Sequence, residues 1–387
     1  MLVTIIIFLI LLSVLVFVHE LGHFLMARRY GVKAEEFGFG FPPRIWGIYR
    51  NKEGKWQQVK GKREVIDAPG TIMSINWIPL GGFVKIKGEN GENEEENDSF
   101  SGRSIWQRFV MLSAGVSMNI ILAAILISIG LMFGLPQALD GINPKAEISN
   151  EKIQIAQVLP NTPAAAVGLE MADIIISIDN QEFKTEDDIQ AYNKSKVGQE
   201  LTYKIKRGQE ELIFQVTPTI IEEIGAGGIG ISIVTTGLVK YPWYLAIWEG
   251  VKTTIFLTWY IIVAFYDLFK NLIFGQGVSI DIAGPVGIAA FTGQVARMGF
   301  IYLIQFTALL SINLAIINFL PIPALDGGRV LFLIIEKIKG SPVKREVEAV
   351  IHNIGFTILM LLVLVVTFRD VARFGDVFKG IWEKIVG

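Results

Sequence analysis

The chain opens on an apolar run from Leu2 to Val18 that contains no charge, and apolar character resumes at Phe24 and Leu25 before Arg28 and Arg29 close it. That pattern predicts a membrane-spanning helix over about Leu2 to Ala27. Apolar runs over about Phe109 to Leu135, Ile301 to Leu325 and Val350 to Thr367 predict three further spans. Thr253 to Tyr266 is also largely apolar, but it lies between Lys252 and Asp267. Its fourteen residues would reach only about 21 Å as a helix, against a hydrocarbon core of roughly 30 Å. Residues 243–274 are therefore expected to form an interfacial or re-entrant helix. The region 32–108 is too polar to span, and within it Gly81-Gly82 followed by Phe83-Val84-Lys85-Ile86 predicts a tight turn into a short strand. From about Pro136 to Val239, strand-like runs at Ile153 to Val158, Ile174 to Ile178, Leu201 to Ile205 and Leu212 to Val216 indicate a soluble α+β insert.

The expected architecture is a polytopic α-helical membrane protein of about four transmembrane helices, with the α+β insert and a cytoplasmic-side β-loop. Its segments are a first span in 1–31, a loop region with a membrane-associated strand in 32–108, a second span in 109–135 and the insert in 136–240. An interfacial or re-entrant stretch in 241–300, a third span in 301–329, a fourth in 350–368 and a tail in 369–387 complete it. Lys33, Arg44, Arg50, Lys52, Lys55, Lys60, Lys62 and Arg63 follow the first span, and Lys337, Lys339, Lys344 and Arg345 precede the fourth. By the positive-inside tendency both stretches are cytoplasmic, which puts the insert outside and the ends of the first and third spans towards the cytoplasm. The N-terminus has no basic residue ahead of its apolar run and no small-x-small cleavage site, so it reads as a retained span.

Composition agrees: of 387 residues 51% are hydrophobic and 19% charged, which places the chain in a lipid bilayer. The formal net charge of −2 gives no reason to expect nucleic acid as a partner. Without any Cys, disulfides and thiolate metal ligands are excluded.

The chemistry begins at His19-Glu20-Leu21-Gly22-His23, an H-E-x-x-H pattern inside the first apolar run. On a helix His19 and His23 fall one turn apart on one face, so both can reach a metal, with Glu20 near its open side as a general base. A charge within a span costs roughly 2.5–3.5 kcal/mol on insertion scales, and metal-assisted acid/base chemistry gives it a purpose. Two His are incomplete, because a catalytic zinc has three protein ligands and one open position. The third is Asp326, at the end of a span that runs in the same sense as the first, or His352, at the start of one that runs the other way. Asp326 has a plain structural role available as a helix cap before Gly327-Gly328. Pro321 and Pro323 must interrupt the third span, leaving unwound backbone that is tolerated at membrane depth only under a protein or water-lined cover. Small residues around Ala114 and Gly115 favour close helix packing, as does the reading of Asn119 beside them.

Asn161 to Asp179 resembles bacterial PDZ domains in its short Ala-rich helix, Gly-Leu turn and following strand, and Gly228-Ile229-Gly230-Ile231 resembles the loop with which such domains receive a peptide terminus. Together, H-E-L-G-H in the first span, G-G-F-V-K-I in the loop, the PDZ-like insert and N-F-L-P-I-P-A-L-D-G-G-R in the third span resemble the site-2 protease family, and within it the bacterial regulator-of-sigma-E type. The resemblance implies a zinc intramembrane endopeptidase of the inner membrane that cleaves single-pass membrane proteins, of anti-sigma-factor type, or remnant signal peptides. It also implies His19, His23 and Asp326 as Zn2+ ligands, Glu20 as base, Asn318 and Pro323 beside the substrate, and Gly81, Gly82, Phe83, Val84 and Lys85 alongside an unwound substrate. Asn318 has the alternative of bonding backbone freed by the two prolines. Chains of this type carry up to two PDZ domains in tandem, and the insert here has room for one. Two other function classes stand beside this one: a non-catalytic adaptor whose PDZ-like domain binds chain termini, and a transporter, which four spans and no internal repeat disfavour.

Overall fold

The computed structural model of the chain describes residues 2–373, apart from 62, 64, 66, 67, 90, 92–94, 209, 222–225 and 276–283. The expected tail from 374 on, the acidic positions 92–94 and part of the 241–300 stretch lie outside the described residues. In chain order the first elements are α1 (Leu2–Arg29), β1 (Ala34–Arg50), β2 (Trp56–Lys60), β3 (Ile72–Ile86), α2 (Ile105–Phe133), β4 (Leu135–Ala138) and β5 (Glu147–Val158). Then come α3 (Pro163–Val167), β6 (Ile174–Ile178), α4 (Glu186–Ser195), β7 (Leu201–Arg207), β8 (Glu210–Val216), β9 (Thr219–Ile221), β10 (Ala226–Gly228) and β11 (Ile231–Lys240). The last five are α5 (Trp243–Phe274), α6 (Pro285–Met298), α7 (Phe300–Phe319), α8 (Asp326–Lys339) and α9 (Arg345–Arg373). Two compact units result, one of 1–128 with 247–387 and one of 129–246.

Five helices, α1, α2, α5, α7 and α9, are long and apolar enough to cross a membrane. Four of these coincide with the expected spans. The stretch at 243–274 is a helix over the expected residues, one unbroken helix of 32 residues, about 48 Å long, with no point at which it turns back, so the re-entrant alternative falls. The apolar run of 253–266 is its centre, and helix-compatible residues from Trp243 to Lys252 and from Asp267 to Phe274 extend it both ways. The expected third span divides as well. α7 stops at Phe319, a turn carries Pro321 and Pro323, and Asp326 opens α8 instead of closing a span. Neither proline has an N–H to continue the ladder, which is why the break falls there.

In the first unit β1, β2 and β3 form an antiparallel sheet in the order β2-β1-β3. The Gly81-Gly82 pair does not precede a short strand; it lies inside the fifteen-residue β3, in an irregularity where Phe39 pairs with Gly82 and Phe41 with Ile78. Gly81 has φ +107°, a conformation that side chains resist, and a Cβ there would strike Val16 of α1. The bend turns up an apolar tip, with Phe39, Phe41, Trp77, Ile78 and Leu80 exposed, and Ser13 of α1 donates to the Pro79 carbonyl at 2.8 Å. The tip therefore lies along the middle of a membrane helix, where lipid suits those side chains. At the other end of β3, Lys87 pairs with both Glu96 and Asp98 and ties that loop down. The Lys87 ammonium holds the Asp98 carboxyl below the usual carboxylate range.

The unit of 129–246 holds a six-stranded sheet in the order β4-β11-β5-β6-β7-β8 and a small β9–β10 pair. The four strand-like runs read from the sequence are β5 to β8. α3 ends at Gly168, whose φ of +84° suits the left-handed cap that follows the Ala-rich helix. Ile155, Ile178, Ile189, Leu201, Tyr203 and Ile205 fill the core, and the buried Tyr203 hydroxyl donates to Asn193 Oδ1 at 2.6 Å. Arg207 ties the end of β7 to the turn before β6: its Nε and Nη2 donate to Asp173 at 2.7 Å each, and Nη1 to Glu170 at 2.8 Å. Asp173 is 1% exposed, so losing the guanidinium strands a buried carboxylate. Arg207→Met should cost about 2 kcal/mol of this unit's stability, the buried-pair penalty discounted for the partial exposure of Arg207, and hydrogen exchange of β6 and β7 amides measures it.

Candidate metal centre

An α-helix of 28 residues places His19, Glu20 and His23 two-thirds of the way along α1, with the two imidazoles on one face one turn apart. Both rings are buried, and they meet edge to face at 4.9 Å between centroids. Asp326, the first residue of α8, comes to the same point: Oδ2 lies 2.9 Å from His19 Nε2 and 3.3 Å from His23 Nε2, and the two Nε2 atoms are 3.2 Å apart. These three residues form the one group of metal-ligating side chains found among the described residues. Donors about 2.0–2.1 Å from a tetrahedral ion stand about 3.3 Å from one another, so the observed triangle fits a single small cation.

The rings are oriented for that task. His23 Nδ1 lies 2.9 Å from the Met111 carbonyl of α2, which can only accept; Nδ1 therefore carries the proton, and Nε2 presents its lone pair. His19 Nδ1 lies 3.4 Å from the Asn119 amide nitrogen. Asn119 is fully buried and its Oδ1 has no partner in that rotamer; a half-turn of the amide would set Oδ1 to accept the His19 Nδ1 proton. Asn119 was legible only as a packing residue. The signal that could have marked it is its spacing of four from Gly115 on the helix face turned to α1. Gly115 itself faces the imidazoles, and a Cβ there would meet His23 Nε2 and lie 2.8 Å from His19 Nε2.

Glu20 is half-buried, and the Val84 N–H of β3 donates to its Oε2 at 3.1 Å. The strand that the resemblance sets beside a substrate thus also touches the expected base. Of its residues, Gly81 and Gly82 pack against Val16 and Phe17 of α1, Phe83 is half-buried, and Lys85 is exposed and paired with Glu35 at 2.7 Å. Asn318, at the end of α7, brings Nδ2 to 3.5 Å from His19 Nε2, while Pro323 packs on Gly355 of α9. His352 is outside the metal group, and its Nδ1 accepts the Ala324 N–H at 2.8 Å.

The expected peptide loop belongs to the unit of 129–246. Gly228 pairs with Thr219, the Ile229 and Gly230 carbonyls accept from Ala164 and Leu159 at 2.9 Å each, and Ile231 pairs with Val158. β11 pairs with β5 along its length but with β4 only from Thr236 to Val239; among the described residues no strand pairs with the other edge of 231–234, and Thr235 is bonded there to Leu139 and Glu186.

The profile of peptidase family M50 matches residues 7–60 and 64–362 of this chain. The chain belongs to that family, the site-2 proteases. The regulator of sigma-W protease RasP of Bacillus subtilis is similar to this M50 peptidase at 31% identity, over 96% of this chain and 98% of the relative. The zinc metalloproteases RasP of Geobacillus kaustophilus, at 30% over 96% and 98%, and of Bacillus licheniformis, at 32% over 96% and 99%, are similar to the same extent. A PDZ domain of an SdrC-like protein of Listeria innocua is 32% identical over 21% of this chain and 92% of its own, with a TM-score of 0.20, too low to carry an argument.

Gly115→Ala puts a methyl group where the two Nε2 atoms need open space. The variant should lose bound metal while α1 and α2 stay folded, which metal content and circular dichroism of the purified protein measure together.

Proposed function

We propose that this M50 peptidase is a zinc-dependent intramembrane endopeptidase that cleaves single-pass transmembrane substrates of anti-sigma-factor type or remnant signal peptides. The observation that carries the proposal is the triangle of His19 Nε2, His23 Nε2 and Asp326 Oδ2, 2.9–3.3 Å on a side, with Glu20 next to it on α1. Two imidazoles and one carboxylate suit zinc and leave a fourth position open, as a catalytic site requires. The zinc metalloprotease names of the relatives support the same metal, and that of the Bacillus subtilis protein supports a substrate tied to a sigma factor. A non-catalytic adaptor would leave this buried three-donor group without a purpose.

His19, His23 and Asp326 would hold the zinc, which would supply Lewis-acid polarisation of a scissile carbonyl and a more acidic water. Glu20, its Oε2 steadied by the Val84 N–H, would take a proton from the attacking water and hand it to the leaving amine as the peptide C–N bond breaks. Asn318 Nδ2, close to His19, donates to the substrate carbonyl. A helical substrate must unwind before its carbonyls can be reached, and the β3 segment from Gly81 to Lys85 holds the extended stretch by strand addition. In the PDZ-like domain, a peptide terminus would meet Gly228, Ile229, Gly230 and Ile231 and pair along the open edge of β11.

The first and third expected spans enter the membrane from one side. Thr4 of α1 packs on Gly293 of α6, just before α7 begins, and His19 lies beside Asn318, where α7 ends. α1 and α7 therefore run in the same sense, which calls for an odd number of crossings between them. α2 supplies one of them. α5 packs lengthwise beside α2, with Gly250 on Ser128 and Thr258, Ile262 and Phe265 around a cavity shared with Val116, Ile120 and Ile316. The active site faces the cytoplasm in the inner membrane, and the PDZ-like domain is outside.

Glu20→Gln should keep one zinc per chain and lose proteolysis of a co-expressed single-pass substrate by about a thousandfold, within the range of general-base removal. Wild-type cleavage by that variant would contradict the mechanism. Asp326→Ala should lose zinc and activity together, measured by metal analysis and the same cleavage assay.

A further inference from the structure

Between α7 and α8 the chain turns through Leu320, Pro321, Ile322, Pro323, Ala324 and Leu325. The two prolines have no N–H, and the other four amides can be accounted for. Leu320 donates to Ile317 O at 3.1 Å, Ile322 to Leu320 O at 2.7 Å and Leu325 to Ile322 O at 3.2 Å, all within the turn or its adjoining helix. Ala324 alone has its partner on another element, His352 Nδ1 of α9 at 2.8 Å. Ala324 also has φ +81°, a left-handed conformation uncommon for any residue with a Cβ and kept only where the surroundings enforce it. Two residues later comes Asp326.

α9 is shaped to hold this turn. Gly355, one turn after His352, is buried against Pro323, and a Cβ there would lie 2.6 Å from the Pro323 carbonyl oxygen. The His352 ring also packs on Phe332 of α8, 5.4 Å between centroids, so it touches both the turn and the helix that Asp326 begins. Because Ala324 N–H is the donor, Nδ1 must be the acceptor, and the neutral ring carries its proton on Nε2. That nitrogen lies 3.8 Å from the Glu348 carboxylate.

We propose that His352 is a positioning residue for the metal ligand Asp326: by accepting the Ala324 N–H it holds the turn in the left-handed conformation that delivers the carboxylate to His19 and His23. The inference rests on the metal-binding role proposed for those three residues. It gives a purpose to the third His of the chain, which takes no part in the metal group. The bond acts on a ligand through two residues of backbone, comparable with the partners that orient ligands directly and whose loss weakens metal binding 10–100-fold.

The test is zinc affinity of the full-length protein, measured by competition with a chromophoric chelator, in wild type, His352→Phe and His352→Asn. Phe keeps the ring and its contact with Phe332 but cannot accept a hydrogen bond; Asn restores an acceptor at the reach of Nδ1. Affinity should fall about tenfold in the Phe variant and return to within about threefold of wild type in the Asn variant. Ala324→Gly, which removes the conformational penalty, should recover part of the loss when combined with His352→Phe. Wild-type affinity in the Phe variant would overturn the proposal, and so would equal losses in Phe and Asn, since packing alone would explain them. Failure of the wild type to bind zinc would instead overturn the functional reading and this inference with it. Nitrogen-15 imidazole spectra of the wild type give a readout that needs no folded variant. A His352 ring protonated at Nε2 and bonded at Nδ1 is expected, and one protonated at Nδ1 would overturn the proposal.

Discussion

Two imidazoles on one turn of α1 and a carboxylate 307 residues further on must share a space about 3 Å across, and much of the first unit serves that requirement. The close side of the space is α2, where Gly115 leaves room for both rings and the Met111 carbonyl sets the protonation of one of them. Closeness of the same two helices continues at Gly22, where a Cβ would lie 2.8 Å from Met118 and collide with the Ala114 carbonyl. The far side is α8, which can present Asp326 at that depth only because α7 ends early and the chain turns through two prolines. Gly327 and Gly328 let the turn fold back on α8, since a Cβ on either would run into carbonyl groups of Phe319, Leu320 or Ile322. Arg108 of α2 then grips Glu336 of α8, Nη1 to Oε2 at 3.0 Å, and fixes the two walls to each other.

The β-sheet adds a second condition. Its bent tip runs beside α1, and one backbone amide from β3 holds the expected base. A strand in that position steadies Glu20 through the Val84 N–H, and in the proposed function the same few residues would offer an edge to an extended substrate. The exposed aromatic and aliphatic side chains at the tip explain how a sheet within a region that is polar overall comes to lie along a membrane helix.

Much of this was legible beforehand, for physical reasons that differ by element. Uncharged runs of span length, prolines that must break a helix, and His residues four apart are local signals, and the spans, the turn after α7 and the pairing of His19 with His23 followed from them. Asp326 could be reached only through the sense in which the spans run, with His352 as a rival, and it is the donor that meets the two rings. Contacts between distant segments leave no local mark, so Val84 on Glu20 and Asn119 on His19 were not foreseen. The extent of α5 was legible at 243–274, but its capacity to span was not, because only the apolar positions between Lys252 and Asp267 were counted, whereas a helix continues through both wherever their side chains can reach water. The turn expected at Gly81-Gly82 failed for a related reason: a glycine pair with one positive φ serves as well for an irregularity inside a long strand.

The central claim is that one metal ion is held by His19, His23 and Asp326. X-ray absorption at the zinc edge of the purified full-length protein tests it most directly. One zinc per chain is expected, with nitrogen and oxygen neighbours at about 2.0–2.2 Å, multiple-scattering features of two imidazoles, and loss of this spectrum in Asp326→Ala. A three-imidazole spectrum, or one unchanged by Asp326→Ala, would contradict it.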